Sequence, residues 1–100
     1  MDPREEFLKQ TESRMLKLGS DLTMIRARHE RSRQEVRLEE DKPVDELNKR
    51  YTQLRDRLHK LKVEHGGAWS RQQTELERDL IELQRSVNDV GMWIYTRSAR

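Results

Sequence analysis

Apolar residues recur along this chain at alternating steps of three and four, and the positions between them are almost all charged or polar. The clearest run lies in residues 43–65, where Val44, Leu47, Tyr51, Leu54, Leu58 and Leu61 follow at steps of 3, 4, 3, 4 and 3. A period near 3.5 marks a helix whose narrow apolar stripe faces another helix. Such a helix is not stable alone in water, because its stripe needs a partner to cover it.

A similar seam precedes it: Leu8, Thr11, Met15, Leu18, Leu22, Ile25, His29, Ser32 and Val36. Asp2-Pro3 ahead of Glu5 and Glu6 reads as its start, with a capping side chain, proline in the first turn and acids at the positive dipole end. The seam is apolar from Met15 to Ile25 and turns polar at His29, Ser32 and Glu39. This spacing predicts a first helix over about 4–40. Glu39-Glu40-Asp41-Lys42-Pro43 is the best break, because proline disfavours helical geometry in the residue before it and suits the first turn of a new helix. A short loop between antiparallel helices is expected there, a kinked continuous helix being the alternative.

The second helix is expected over about 43–96. Its stripe continues from Leu58 and Leu61 through His65, Trp69, Gln73, Leu76, Leu80, Leu83, Val87, Val90 and Ile94. Gly66-Gly67 costs about 2 kcal/mol relative to alanine in a helix and favours a break. The four-residue steps across the glycines favour a continuous helix with a stutter. The expected fold is therefore all-α: an antiparallel helical hairpin or coiled coil forming a single domain over residues 1–100. Breaking the second helix at Gly66-Gly67 instead gives a three-helix bundle. With a hairpin turn at 41–43, Leu80 through Ile94 would project beyond the first helix uncovered. At about 1.5–3 kcal/mol per buried aliphatic side chain, that surface calls for a second chain or a fold-back, and a homo-oligomer is expected.

Composition supports this class. The chain has 100 residues, 32% apolar and 40% charged, with a net charge of only +2 and no cysteine. High charge with helical periodicity points to long helices. The absence of cysteine excludes a disulfide framework and a thiolate zinc site. The charged N-terminus lacks the apolar core of a secretory signal, and no run approaches the roughly 18 apolar residues of a membrane span. A cytoplasmic protein is expected. Residues 1–50 carry 12 charges of each sign, and residues 51–100 carry nine bases and seven acids, so charge alone names no partner.

Candidate chemistry is sparse. No serine is set with a base and an orienting group, the three histidines lack metal-ligand spacing, and Gly66-Gly67 is not followed by the Lys-Ser/Thr of a phosphate loop. No enzyme activity, metal or cofactor is expected. His29 and His65 lie on the seam, where polar residues set register and where protonation would loosen packing in mild acid. Arg26, Arg28, Arg31, Arg33 and Arg37 form the densest basic run. Interleaved Glu30 and Glu35 favour a solvated helix face, and nucleic acid is the minor reading. At the end of the chain, Met92, Trp93 and Tyr95 leave the stripe beside Arg97, which suits a buried helix end or a membrane-interface contact.

Arg4-Glu5-Glu6-Phe7, the stripe at Leu22 and Ile25, the run Leu54-Arg55-Asp56-Arg57-Leu58, and Gly67-Ala68-Trp69 ahead of Leu76-Glu77 carry a resemblance over nearly the whole chain. The sequence resembles the short, uncharacterised bacterial coiled-coil proteins of about a hundred residues, which have a Gly-x-Ala-Trp-like element in the last third. Those proteins commonly have an aromatic where Leu18 stands and lack a proline at the position of Pro43. The resemblance implies long helices, no known enzymatic activity and no catalytic residues.

The expected function is thus a non-catalytic structural or protein-interaction module. It would self-associate through seam residues Leu18, Leu22, Ile25, Leu47, Tyr51, Leu54, Leu58, Leu61, Trp69, Leu76, Leu80, Leu83, Val87, Val90 and Ile94. The alternative is a peripheral binder of nucleic acid or an anionic membrane surface, through the arginine run or residues 92–97.

Overall fold

The computed structural model of the chain describes residues 2–32, 34–63, 67 and 69–98. They form three helices and no strand among the described residues: α1 (Pro3–Arg31), α2 (Gln34–Lys62) and α3 (Trp69–Ser98). The fold is the three-helix form of the all-α expectation. Phe7 of α1 meets Trp69 at the start of α3, and Ile25 lies against Gly91, so α1 and α3 run parallel. His29 faces Glu40 and Tyr51 reaches Met15, so α2 runs antiparallel between them. Helices of 29, 29 and 30 residues lie side by side in a rod of 50 × 22 × 16 Å.

The start of α1 follows its sequence signals. Asp2 Oδ1 accepts from the Arg4 N–H at 3.0 Å, and Pro3 occupies the first turn. The end does not fall where proline suggested. α1 stops after Arg31, and Ser32 takes an extended backbone with its N–H donating to the His29 carbonyl. Pro43, expected to open the second helix, lies inside α2. An interior proline costs about 3 kcal/mol. Val44 and Leu47 are 3% and 2% exposed, and burying two such side chains returns about 3–6 kcal/mol, so packing outweighs the proline. The helices expected at about 4–40 and 43–96 are thereby corrected to three. The second break falls between Lys62 and Trp69, a span that contains Gly67; His65, Gly66 and Ala68 lie outside the described residues.

The seam residues are buried inside a single chain. Leu18, Leu22, Ile25, Leu47, Leu54, Leu58, Leu61, Trp69, Leu76, Leu80, Leu83, Val87 and Ile94 form the core, with Tyr51 and Val90 partly buried against it. At the start of α1 the core residue is Phe7, whereas Leu8 is only partly buried. Leu80, Leu83, Val87 and Ile94, the residues that a hairpin would leave wet, are at most 1% exposed. Folding α3 back covers them, and the coverage expected from a second chain comes from the same one.

Trp69 ties the three helices at one end. Its ring meets Phe7 edge-on at 5.5 Å, and its Nε1–H donates to the Leu61 carbonyl at 3.3 Å in the last turn of α2. The Arg4 guanidinium lies 5.1 Å from the ring centroid. Trp69 thus fills the apolar end of the bundle while satisfying a carbonyl that lacks a helical partner.

Gly19 sits mid-helix for a packing reason. A Cβ there would meet the Tyr51 hydroxyl at 2.8 Å, and that hydroxyl donates to the Met15 carbonyl at 3.4 Å. Gly19→Ala gains about 1 kcal/mol of helix propensity but displaces the hydroxyl. Denaturant melts of the double-mutant cycle should make Gly19→Ala more favourable by about 1 kcal/mol in a Tyr51→Phe background than in the wild type. Simple additivity would reject this account of the glycine.

Candidate functional site

The surface feature that stands out from this charged rod is an open groove between the C-terminal halves of α1 and α3, of about 620 Å³. One wall is the α1 row Asp21, Met24, Ala27, Arg28 and Arg31, and the other is the α3 row Asn88, Gly91, Met92 and Tyr95. Both rows follow the 3-4 spacing that keeps side chains on one helix face. Met24, Met92 and Tyr95 are 68%, 70% and 58% exposed. Ile25, Val87 and Ile94, buried in the core, form the floor. The other large exposed apolar side chains, Leu16, Leu38, Val63 and Ile81, do not line it.

Gly91 lies over Ile25, and a Cβ there would make an ordinary van der Waals contact 3.5 Å from Ile25 Cδ1. It does not fray α3, which continues to Ser98. Arg28 lies across the Tyr95 ring at 4.3 Å, a cation–π contact that holds both at one end of the groove. Arg31 Nε donates to the Ala27 carbonyl. Neither arginine has a carboxylate partner among the described residues. At the opposite end Asp21 accepts only a 3.3 Å hydrogen bond from Gln84 Nε2.

Two features read separately in the sequence therefore meet here. Arg28 and Arg31 come from the basic run, and Met92 and Tyr95 come from the aromatic end. The run itself does not form one patch. Arg26 is exposed but stands about 200° round α1 from Arg28, Arg37 is exposed on α2 beyond the break, and Arg33 lies outside the described residues. The Arg97 side chain is also outside them. Trp93 packs partly buried against the core rather than into the groove. Sequence reasoning missed Met24 and Asp21. The available signal was a second row at helical spacing beside each seam, with methionine at non-seam positions.

Beyond the groove, polar clusters join the helices. His29 Nδ1 is 2.9 Å from Glu40 Oε2, its Nε2 is 2.7 Å from Asp41 Oδ1, and Ser32 Oγ donates to Glu40 Oε2. The ring thus bridges the two carboxylates of α2, one at each nitrogen. Glu40 is fully buried, and its Oε1 has no partner among the described residues. Glu40, not Glu39, occupies the inward face, because the break after Arg31 shifts the phase of α2. His29 sits between carboxylates rather than among apolar side chains. His65 lies outside the described residues. No group of three His, Cys, Asp or Glu side chains converges to hold a metal among the described residues.

Along α2 and α3, Arg57 Nη1 donates to Asp79 Oδ2 at 2.5 Å, Arg50 donates to Ser86, and Lys62 pairs with Glu12 of α1. The Arg57 hydrogen bond, helped by the charges of Arg57 and Arg78, holds the Asp79 carboxyl below its ordinary value against the opposing effect of burial. A depressed carboxylate stabilises the fold above its unfolded pKa, near pH 4, and loses that contribution as pH falls through its folded value. Asp79 is 30% exposed, so the effect is modest, about 1 kcal/mol or less. Asp79→Asn should be less stable than the wild type at pH 6, and the gap should narrow between about pH 4 and pH 2. A gap independent of pH would remove the ion pair as its cause.

Comparison of the chain with protein-family models, with curated proteins and with solved structures gives no match.

Proposed function

We propose that this chain is a non-catalytic protein-interaction module that docks a helix in the groove between α1 and α3. The observation that carries the reading is the exposure of Met24, Met92 and Tyr95 on two parallel rows over an apolar floor. Two parallel helices with a cleft between them accept a third helix whose apolar side chains sit at i, i+3 and i+7. The seams are consumed within the chain, which moves the expected self-association from the seams to this groove. The resemblance to short bacterial coiled-coil proteins, which carry no known enzymatic activity, accords with a binding role. No helix among the described residues is long and apolar enough to cross a membrane, and the cysteine-free composition suits work in the cytoplasm.

A second reading, contact with an anionic membrane surface, draws on the same place, because Arg28 and Arg31 flank exposed Met92 and Tyr95. Nucleic-acid binding has less support, since Arg26 faces away from the groove and Asp21 stands at its far end.

A synthetic amphipathic peptide with leucines at i, i+3 and i+7 and flanking glutamates tests the docking reading. Titrated into the labelled protein, it should move the backbone amide resonances of Met24, Arg28, Arg31, Met92 and Tyr95. The double variant Met24→Glu/Met92→Glu should bind it at least about tenfold more weakly, since each buried methionine is worth about 1.5–3 kcal/mol. Resonance shifts scattered over the rod would overturn the docking reading. Co-sedimentation with phosphatidylserine vesicles, lost in the same variant, would favour the membrane reading instead.

A further inference from the structure

We infer that the occupant of the groove is a second copy of this chain, related by a two-fold axis so that the α1 and α3 rows of the two protomers pack antiparallel. This pairing rests on the groove being a docking surface, and it adds the partner and the register.

The charge at the two ends of the groove is opposite. Asp21 stands at one end, Arg28 and Arg31 stand at the other, and none of them has an ion-pair partner among the described residues. A groove flanked by arginine alone would select an acidic partner of another kind. A groove with one sign at each end is matched by itself turned round. Seven to ten residues separate the charges, about 10–15 Å along the helix, and a two-fold axis midway lies near the level of Ile25. The same level on α3 is fixed independently, because Ile25 packs against Gly91. That level is also the centre of the α3 row, three or four residues from both Asn88 and Tyr95.

One axis therefore serves both rows. It sets Asp21 across from the partner's Arg28 and Arg31, Met92 beside the partner's Met92, and Tyr95 across from the partner's Asn88. The interface is isologous: each contact occurs twice, and the assembly closes at two copies. A parallel pair would instead bring the arginine ends of both protomers to one level and the two Asp21 to another, so like charges gather at each end and no Asp21–arginine pair forms. The pair would be a four-helix contact layer about 15 Å long. An interface this short associates weakly, with a dissociation constant in the micromolar range or above, and its charged ends make it salt-sensitive.

Sedimentation equilibrium of the full chain, with a charge-swap series, tests the pairing. The wild type should approach twice the chain mass at high concentration and about 50 mM salt, and should dissociate more readily at about 500 mM. Asp21→Lys and Arg28→Glu/Arg31→Glu should each weaken association by about tenfold or more. An equimolar mixture of the two variants should restore the dimer, since every facing pair is then of opposite sign. Should the double substitution reduce helicity, Arg31→Glu alone replaces it in the mixture. A wild type that stays monomeric to about millimolar concentration, or variants that do not rescue each other, would overturn the pairing. The docking reading fails separately, by absence of peptide binding in the groove. A monomer that still binds the peptide there rejects the second copy alone.

Discussion

The structure depends on one constraint: three apolar stripes, each about two residues in seven, must cover one another. None is broad enough to support a helix alone, and two helices of unequal length cannot cover each other fully. Three helices of nearly equal length can, and the chain divides itself accordingly into segments of 29, 29 and 30 residues. The turns then fall where equal lengths require them. Pro43 is carried inside α2 because the buried side chains around it outweigh its cost, and Gly67 falls in the span where α3 turns back.

The polar residues on the stripes follow from the same division. His29, Ser32 and Glu40 meet beside the first turn and hydrogen-bond one another instead of weakening an apolar seam. At the opposite end Trp69 closes the bundle against Phe7 and the Leu61 carbonyl. A rod with one polar clamp and one aromatic plug has its register fixed at both ends. Slipping a helix by one turn would break the Glu40 contacts and expose the indole.

The groove is a by-product of this packing that the outer residues elaborate. Wherever two helices of a triangle meet, their outward faces leave a cleft; Arg50, Arg57, Asp79 and Glu82 border one between α2 and α3, and Glu12, Leu16, Arg55 and Lys62 border one between α1 and α2. Between α1 and α3 the bordering positions are Met24, Ala27, Met92 and Tyr95, and Gly91 keeps the cleft free of a side chain. Exposed apolar rows cost solubility. Their concentration at one place, with opposite charges at its ends, is what a binding role would account for.

Helix content and the inward face of the seam residues were legible in the sequence, because an apolar period near 3.5 is a local property of the chain. Val44 to Leu61 and Leu76 to Ile94 needed no tertiary information to be assigned inward. Where the first helix ends was not legible: Pro43 is a strong local signal, and only the summed burial of Val44, Leu47 and their neighbours overrides it. Whether α3 folds back was equally open, since the glycines favour a break and the stutter favours a continuous helix. The groove was hidden for a related reason. Arg28 and Met92 lie 64 residues apart, and what places them side by side is the parallel register of α1 and α3, set by long-range burial that no stretch of sequence contains.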